Sequence, residues 1–270
     1  MPLSTDALRE HIAQRPWTAH NIRLNDDVTT VPGQPDFIDT DLRLKAIQRD
    51  LAFCFGSDLH GIRIADLGCL EGGFSLALAQ QGAQVVGIEA RSINLEKCML
   101  LKEQFDLPNL EFRLGDVKQF TVEEFGEFDV VLALGILYHL DQPAQWLRQI
   151  ALATRRLLVI DTHFAPEDDA ALARIDSRIA SLSPIEKVEG DVWPYEGRWF
   201  FEFPEGTDPE AQLWASYSNY RSFWLTKESL LLATWHAGFA LVFEQHDYSV
   251  GSFKHLNYTF PRTMLVGVKP

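Results

Sequence analysis

Short apolar segments alternate with segments of helical periodicity through the middle of the chain. The apolar segments are rich in leucine and β-branched residues, as strands buried on both faces of a sheet should be. They lie at about residues 62–67, 84–89, 110–114, 128–134 and 156–161. Apolar positions at helical spacing predict helices between them, over about 72–81, 92–105 and 143–153. The alternation predicts an α/β fold, with helices on both faces of a parallel sheet.

The two ends of the chain add further elements. Residues 1–61 predict a helix, an irregular segment punctuated by proline and glycine, and a second helix. Toward the other end, a helix over Thr226 to Ala237 is closed by Gly238. Two further strands follow, at about 240–247 and 263–269.

The segment at residues 165–224 does not follow the alternation of strand and helix. It lies between the fifth strand and the last helix and is rich in tryptophan, tyrosine, phenylalanine, arginine and acids. Amphipathic rings combined with fixed polar groups are typical of a small-molecule pocket. The same aromatic residues could instead form the core of an inserted cap, since buried aromatic residues are common.

A glycine-rich turn follows the first strand, with the sequence Asp66-Leu67-Gly68-Cys69-Leu70-Glu71-Gly72-Gly73. Glycine permits positive φ and close approach of a ligand to the backbone, and the helix after the turn presents free N–H groups. The spacing differs from the G-x-G-x-x-G fingerprint that binds a pyrophosphate. An acidic turn of this kind suits a ligand with a cationic head and no phosphate.

Four segments, in order along the chain, resemble the motifs of class I methyltransferases that depend on S-adenosylmethionine (SAM). They are Asp66 to Gly72, Val85 to Glu89, Leu114 to Val117, and Phe128 to Leu140. The resemblance implies a doubly wound, Rossmann-like sheet of seven mostly parallel strands in which the last strand is antiparallel. It also implies SAM as the cofactor and S-adenosylhomocysteine (SAH) as its product.

The resemblance assigns the cofactor contacts to the carboxyl ends of the strands. Glu89 would hold the ribose hydroxyls, and Asp116 would meet the adenine amino group. Cys69 is expected to pack beside the cofactor rather than to act as a nucleophile, and Glu71 is expected to face solvent. The implied cofactor-binding residues are Asp66, Gly68, Cys69, Gly72, Glu89, Ala90, Asp116, Val117, Leu134 and Gly135.

The loop after the fourth strand, which faces the methyl group in this fold, carries Tyr138 and His139. His139 is a candidate general base because imidazole titrates near neutral pH. Alternatively, it only shapes the pocket or binds SAM through its backbone. His163 is the rival base, so Tyr138, His139 and His163 are the candidate catalytic residues. Alignment of the acceptor with the activated sulfonium also supplies much of the rate without a base.

Six residues are candidates for binding the acceptor: Trp17, His20, Arg198, Trp199, Tyr220 and Arg221. The two arginines suit a carboxylate or phosphate, or pair with nearby acids of the protein. Four regions are therefore expected. They are an N-terminal arm or lid over 1–61, a SAM-binding core over 62–164, a substrate cap over 165–224, and a C-terminal part over 225–270 that completes the core.

Composition narrows the classes of function. The chain has 270 residues, of which 46% are hydrophobic and 23% charged, and shows neither a leader peptide nor a membrane-spanning run. Three scattered cysteines predict neither a disulfide framework nor a zinc site, so we expect a cytoplasmic protein without a metal. The net charge of −14 disfavours nucleic acid as a partner. Nothing in the sequence indicates the oligomeric state.

The sequence therefore predicts a SAM-dependent methyltransferase that acts on an oxygen or nitrogen of a small molecule by in-line displacement. Segments of the cap resemble uncharacterised bacterial small-molecule methyltransferases. The loop Gly135 to Pro143 resembles that of the wobble-uridine tRNA (carboxy)methyltransferases, whose members use SAM or carboxy-SAM. A basic groove would favour this alternative, and its candidates are Arg148, Arg155, Arg156, Arg174 and Arg178. A third possibility is a SAM-binding module without catalysis.

Overall fold

The computed structural model describes residues 2–15, 17–168, 182–188, 193–246 and 261–270. Its strands are β1 Arg63–Leu67, β2 Gln84–Glu89, β3 Leu110–Leu114, β4 Phe128–Leu134, β5 Thr154–His163, β6 Glu186–Val188, β7 Tyr195–Phe201, β8 Arg221–Leu225, β9 Leu241–Gln245 and β10 Arg262–Val268. Its α-helices are α1 Thr5–Gln14, α2 Leu42–Phe55, α3 Gly73–Ala79, α4 Ser92–Phe105, α5 Val122–Phe125, α6 Pro143–Ala153 and α7 Lys227–His236. None of these described helices combines the length and the apolar character that a membrane span requires.

Seven strands form one sheet in the order β3-β2-β1-β4-β5-β10-β9. β1 runs parallel to β2, β2 to β3, and β4 to β5. β10 is antiparallel to both of its neighbours, β5 and β9. This confirms the predicted α/β fold, with a mostly parallel seven-stranded sheet and an antiparallel last strand.

The chain divides into two compact units, residues 1–117 and 118–270. In the first unit, the parallel register places two carboxylates at the same edge of the sheet. Asp66 of β1 pairs with Gly87 of β2, and Glu89 at the end of β2 pairs with Leu114 of β3. Ligands of open parallel sheets bind at this edge, beyond the carboxyl ends of the strands.

The N-terminal arm packs on α4 within the first unit. Leu8 of α1 is fully buried. The N–H of Leu3 donates to the side-chain oxygen of Gln104 at 2.9 Å, and the amide nitrogen of Gln104 donates to the carbonyl of Leu24 at 2.9 Å. One glutamine of α4 therefore holds two separate parts of the arm.

In the second unit, β5 brings the loop after β4 next to a buried acid. Leu134 of β4 pairs with Asp161 of β5, and the N–H of Gly135 donates to the carbonyl of Asp161 at 2.7 Å. On the other side of β5, Arg262 of β10 pairs with His163. The end of β5 thus gathers residues from three strands.

The aromatic segment expected to form a cap contains a small antiparallel sheet in the order β6-β7-β8. The sequence pattern did not predict these strands, because the run Trp199-Phe200-Phe201 lacks polar alternation. β8 contacts the loop after β4, since the N–H of Phe223 donates to the carbonyl of Leu140 at 2.8 Å. Residues 169–181 and 189–192, and the connection over 247–260, lie outside the described residues.

Candidate active site

The glycine-rich turn after β1 adopts left-handed backbone conformations at three positions. Gly68 has a φ of 68°, Leu70 of 54° and Gly72 of 75°. A Cβ at Gly72 would lie 2.8 Å from the ring of Phe112, so this position needs glycine for space as well as for conformation. Leu70 has a Cβ and bears the cost of the left-handed region, roughly 1–2 kcal/mol. Strain at a single non-glycine residue is typical of a functional turn.

Glu89 is the acid that this strained turn contacts. Its Oε2 accepts a hydrogen bond from the N–H of Leu70 and its Oε1 from the N–H of Arg91, both at 2.9 Å. The residue is 4% exposed, and burial raises the pKa of its carboxyl against the effect of these two donors. The side chain of Asn94 also lowers this pKa, and a carboxylate has acceptor capacity beyond these contacts. The arrangement fits a ligand that presents two hydroxyl groups, as a ribose does.

Asp66 is also buried at the end of its strand. Burial raises the pKa of its carboxyl to about 6, although the hydroxyl of Ser75 donates to it at 2.6 Å. Ser75, in the first turns of α3, was not predicted as part of the site. Ser75 lies nine residues after Asp66 on an otherwise apolar helix. This isolated polar position is the sequence signal that could have indicated a contact with the acid.

Cys69 lies beside a second buried thiol. The sulfur atoms of Cys69 and Cys98 are 4.0 Å apart, and the thiol of Cys98 donates to the carbonyl of Leu70 at 3.3 Å. The hydrogen bond with Cys98 and burial hold the pKa of the Cys69 thiol well above its usual range. A protonated, buried thiol is a poor nucleophile, which agrees with the packing role expected for Cys69.

Glu71 does not face solvent, and that expectation was wrong. Its side chain is 0% exposed and forms an ion pair with Lys97 of α4 at 2.8 Å. The same carboxylate accepts hydrogen bonds from the N–H groups of Thr18, Ala19 and His20, at 2.8, 3.0 and 2.8 Å. Burial alone would raise the pKa of Glu71, but the bond from Lys97 and the backbone donors lower it overall. Glu71 therefore ties the arm to the turn.

Trp17 and His20, predicted to bind the acceptor, are both buried in the structure. Nδ1 of His20 accepts a hydrogen bond from the N–H of Gly73 at 3.0 Å, at the start of α3. Burial lowers the pKa of His20 to about 4, so the ring is neutral near pH 7. These contacts match the alternative in which the arm packs on the core, rather than direct binding of an acceptor.

The remaining cofactor candidates of the first unit follow β2 and β3. The N–H of Gly115 donates to the carbonyl of Glu89 at 2.9 Å and so holds the ends of the two strands together. Val117 is buried, whereas Ala90 and Asp116 are partly exposed. Asp116 is therefore accessible to a ligand at the same edge of the sheet as Glu89.

In the second unit, Asp161 and Arg262 form a bidentate ion pair. Nε and Nη2 of Arg262 donate to the two oxygens of Asp161, both at 2.8 Å, and Asp161 is fully buried. Burial opposes the charge of Arg262, but Asp161 raises the pKa of the guanidinium overall. Arg262 was not predicted, because its partner lies 101 residues away.

His163 cannot serve well as the rival base, because both of its ring nitrogens are engaged. Nη1 of Arg262 lies 3.3 Å from Nε2, and arginine can only donate, so Nε2 accepts. Nδ1, 3.3 Å from the carbonyl of Pro261, must then donate. Burial and the charge of Arg262 lower the pKa of His163 to about 4. Its basic lone pair is therefore used inside the protein.

His139 has a different environment. Its Nδ1 lies 2.9 Å from Oε1 of Glu202, whose side chain is 2% exposed. Glu202 also accepts from the hydroxyl of Ser222 at 2.7 Å and from the N–H of Ser216 at 3.2 Å. The amide of Asn219 donates to the carbonyl of His139 at 3.0 Å. Glu202 was missed by the sequence analysis, since nothing local connects it to a histidine 63 residues away.

Tyr138 packs among aromatic rings at the end of β5. Its ring lies edge to face with those of His163, at 4.6 Å between centroids, and of Trp224, at 5.8 Å. Burial raises the pKa of its hydroxyl, and the charge of Arg262 opposes this shift. Gly135, three residues earlier, has a φ of 78°. A phenol protonated at neutral pH can donate but cannot act as a base there.

The two predicted acceptor-binding arginines differ. Arg198 is buried and donates to three backbone carbonyls, those of Pro166 at 2.8 Å, Ser183 at 3.0 Å and Glu167 at 3.3 Å. These contacts with the protein backbone support a structural position for Arg198 rather than the predicted contact with an acceptor. Arg221 is exposed and lies 4.0 Å over the ring of Trp199, which is partly exposed beside exposed Tyr220.

The proposed basic groove finds little support in the described residues. Arg155 pairs with Glu127 at 3.0 Å and with Asp129 at 3.7 Å, and Arg156 donates to the carbonyl of Lys269. Arg174 and Arg178 lie outside the described residues.

Comparisons with known proteins show which family the chain resembles. The family model "Methyltransferase domain" matches residues 58–203. The O-antigen chain terminator bifunctional methyltransferase/kinase WbdD of Escherichia coli is 32% identical over 105 residues, covering 36% of this chain and 15% of WbdD. The tRNA U34 carboxymethyltransferase of Desulfotalea psychrophila is 36% identical over 180 residues, covering 62% of this chain and 56% of that protein. A crystal structure of the N-terminal domain of EvdMO1 with SAH and D-fucose has a TM-score of 0.71 at 23% identity, covering 100% and 98% of the two chains.

The curated relatives are matched over only part of their length, 15% of WbdD and 56% of the tRNA enzyme. The EvdMO1 domain, at 23% identity, shares the fold. The family model, in contrast, covers more than half of the 270 residues. The chain therefore belongs to the methyltransferase-domain family, as the resemblance of its four core motifs to SAM-dependent methyltransferases predicted.

Proposed function

We propose that this protein is a SAM-dependent methyltransferase that transfers a methyl group to an oxygen or nitrogen of a small-molecule acceptor. The observation that carries the proposal is Glu89, a buried carboxylate at the end of β2 that accepts one N–H on each oxygen and keeps further lone pairs. SAM supplies an electrophilic methyl group on a sulfonium, so the protein need only bind and align the two reactants.

Within the first unit, each cofactor residue has a proposed part. Glu89 accepts from the two ribose hydroxyls, and Asp116 accepts from the adenine amino group. Asp66, near the end of β1, lies at the same sheet edge as Glu89, where its carboxyl favours the cationic end of the cofactor. Gly68 and Gly72 let the backbone of the turn approach the ligand.

A small acceptor is supported by charge and by the cap. A net charge of −14 opposes a polyanionic partner. Arg221, exposed over Trp199, offers a cation and an aromatic surface to a small polar ligand. The EvdMO1 domain, similar in fold along the whole chain, was crystallised with a sugar, D-fucose. We therefore assign residues 62–164 to cofactor binding, 165–224 to the acceptor, 1–61 to a cover for the cofactor turn, and 225–270 to completion of the core.

Calorimetric titration with SAM and SAH tests the cofactor site. We expect the Glu89→Ala variant to bind roughly 100-fold more weakly, since two hydrogen bonds to a charged group are worth about 1.5 kcal/mol or more each. The matched control is Glu103→Ala, which removes an exposed acid from α4 and should bind as the wild type does. Absence of binding to the folded wild type would refute the proposal.

A second candidate function is methylation or carboxymethylation of tRNA. It is favoured by the 36% identity to the tRNA U34 carboxymethyltransferase over 180 residues. Arg155 and Arg156, whose contacts lie within the protein, weigh against it. Binding of unmodified tRNA that weakens steeply with salt would favour this candidate, because phosphate contacts release counterions. A protein that binds SAM but methylates nothing would instead fit the non-catalytic module.

A further inference from the structure

We infer that His139 and Glu202 form a proton-accepting pair, and that the group methylated by this protein is therefore a hydroxyl. The inference deepens the proposed function and rests on it. It begins from the 2.9 Å contact between Nδ1 of His139 and Oε1 of Glu202.

The partners of Glu202 differ from those of Glu71 and Asp161, two other carboxylates whose side chains are withdrawn from water. Glu71 is paired with Lys97 and Asp161 with Arg262, each at 2.8 Å. The other donors to Glu202, the hydroxyl of Ser222 and the N–H of Ser216, are neutral. The third donor is Nδ1 of the neutral imidazole of His139. A buried carboxylate favours a positive charge on a neighbouring group, so proton uptake by His139 completes an ion pair.

This contact also fixes the tautomer of His139. A carboxylate accepts hydrogen bonds, so Nδ1 carries the proton and Nε2 keeps its lone pair. Among the described residues Nε2 has no hydrogen-bond partner, and the side chain is 13% exposed. Asn219 holds the backbone carbonyl of the same residue. The base, its orienting acid and the atom free to accept a proton are therefore all in place.

The chemistry of the acceptor follows from the need for a base. A neutral amine attacks through its free lone pair and loses its proton afterwards, and a carboxylate has no proton to lose. A hydroxyl must give up its proton as its oxygen bonds to the methyl carbon. The carbon–sulfur bond of the donor then breaks, its electron pair stays on sulfur, and the proton passes to Nε2 of His139. The resulting imidazolium is stabilised by Glu202 and later releases the proton to water.

The first experiment determines the tautomer of His139 in the SAH-bound protein by long-range proton–nitrogen correlation with labelled histidine. We expect the Nδ1–H form at neutral pH, and a changed Nδ1 resonance in Glu202→Gln. The control is Glu205→Gln, an exposed acid three residues away, which should leave the resonance unchanged. An Nε2–H tautomer, or a spectrum insensitive to Glu202→Gln, would overturn the inference.

The second experiment measures transfer from labelled SAM to hydroxyl probes, catechol and D-fucose, and to their amino counterparts. We expect a hydroxyl probe to be methylated, with kcat lowered about 10²-fold or more in His139→Ala and SAH affinity unchanged. Glu202→Gln should lower kcat less, with KM preserved and partial recovery in Glu202→Asp. Methylation of an amine at a rate independent of His139 would contradict the inference. If no probe is methylated, the tautomer of His139 from the first experiment tests the inference by itself.

SAH binding separates this inference from the proposed function. If the wild type fails to bind SAH, the proposed function fails. If SAH binds but the tautomer or the rates disagree, only the proton-accepting pair is wrong.

Discussion

Glu71 and Glu202 are both glutamates whose carboxylates are almost completely withdrawn from water, one in each unit of the chain. Glu71 is held by a lysine and by three backbone N–H groups of the N-terminal arm. Glu202 is held by a serine hydroxyl, one backbone N–H and a histidine. Burial is thus the same in the two regions, but the kind of partner is not.

The difference in partner separates a structural acid from one suited to chemistry. Lys97 and Glu71 form a fully buried ion pair at 2.8 Å, and the same carboxylate holds the arm on the glycine-rich turn. Imidazole can gain and lose a proton in the neutral range, so Glu202 can stabilise a charge that appears only during reaction. Variants of the buried pairs, a pH titration and a comparison of two arginines sharpen this contrast, beginning with the largest expected effect.

Breaking the Glu71 pair should cost the most stability. In Lys97→Met, a buried carboxylate loses the lysine with which it is paired, and we expect the free energy of unfolding to fall by about 3–5 kcal/mol. Urea denaturation measures this. Glu202→Gln, which removes a carboxylate without a permanent cation, should cost clearly less.

The double variant Glu71→Gln with Lys97→Met is the control for an isolated buried charge. Because neither group remains charged, it should recover much of the loss. Equal losses in Lys97→Met and Glu202→Gln would contradict the contrast between the two glutamates.

Acid should weaken the attachment of the arm through His20. Its folded pKa, about 4, lies below the ordinary value of 6.5. The unfolded state therefore binds the proton first as pH falls. The contribution of His20 to the free energy of unfolding is fully present above pH 6.5. It is lost as pH falls toward 4, by on the order of 3 kcal/mol.

The measurement is the free energy of unfolding of wild type and His20→Gln between pH 7 and 4. The free energy of unfolding of His20→Gln should fall less between pH 7 and 4 than that of the wild type. Asp66, whose pKa is raised to about 6, contributes in the opposite sense, since its burial is penalised above that pH. Asp66 is present in both the wild type and His20→Gln, so its contribution cancels when the two pH dependences are subtracted. Identical slopes would show that His20 does not carry the acid sensitivity.

Arg221→Ala should have the smallest effect on stability. Arg221 is exposed over Trp199, so we expect a change within about 0.5 kcal/mol. Arg198→Ala, the buried counterpart, leaves three carbonyls without their donor and should cost several times more, about 2–3 kcal/mol. Thermal and urea unfolding of the two variants, side by side, measure the difference. A large loss in Arg221→Ala would mean that its role is structural too.

The sequence predicted what depends on local pattern. The strands of the main sheet, the glycine-rich turn and the acid at the end of β2 are each encoded within a few neighbouring residues, through burial pattern and backbone conformation. The place of Glu89 at the sheet edge followed from the predicted strand, because strand ends of a parallel sheet meet at one edge. Its expected role toward a ribose came from the resemblance to SAM-dependent methyltransferases.

Partners distant in sequence were not predicted. Lys97 lies 26 residues from Glu71, Glu202 lies 63 from His139, and Arg262 lies 101 from Asp161. Whether a charged residue is buried depends on such partners, so Glu71 and Arg198 were expected to face a ligand or solvent and are instead enclosed. The strands β6 to β8 were missed because a run of aromatic residues does not alternate between apolar and polar positions.

The most direct test of the cofactor site is a crystal structure of the wild type grown with SAH. The account predicts SAH at the carboxyl ends of β1 to β3, with its ribose hydroxyls within about 3 Å of the carboxylate oxygens of Glu89. SAH bound elsewhere, or a ribose without contact to Glu89, would contradict it.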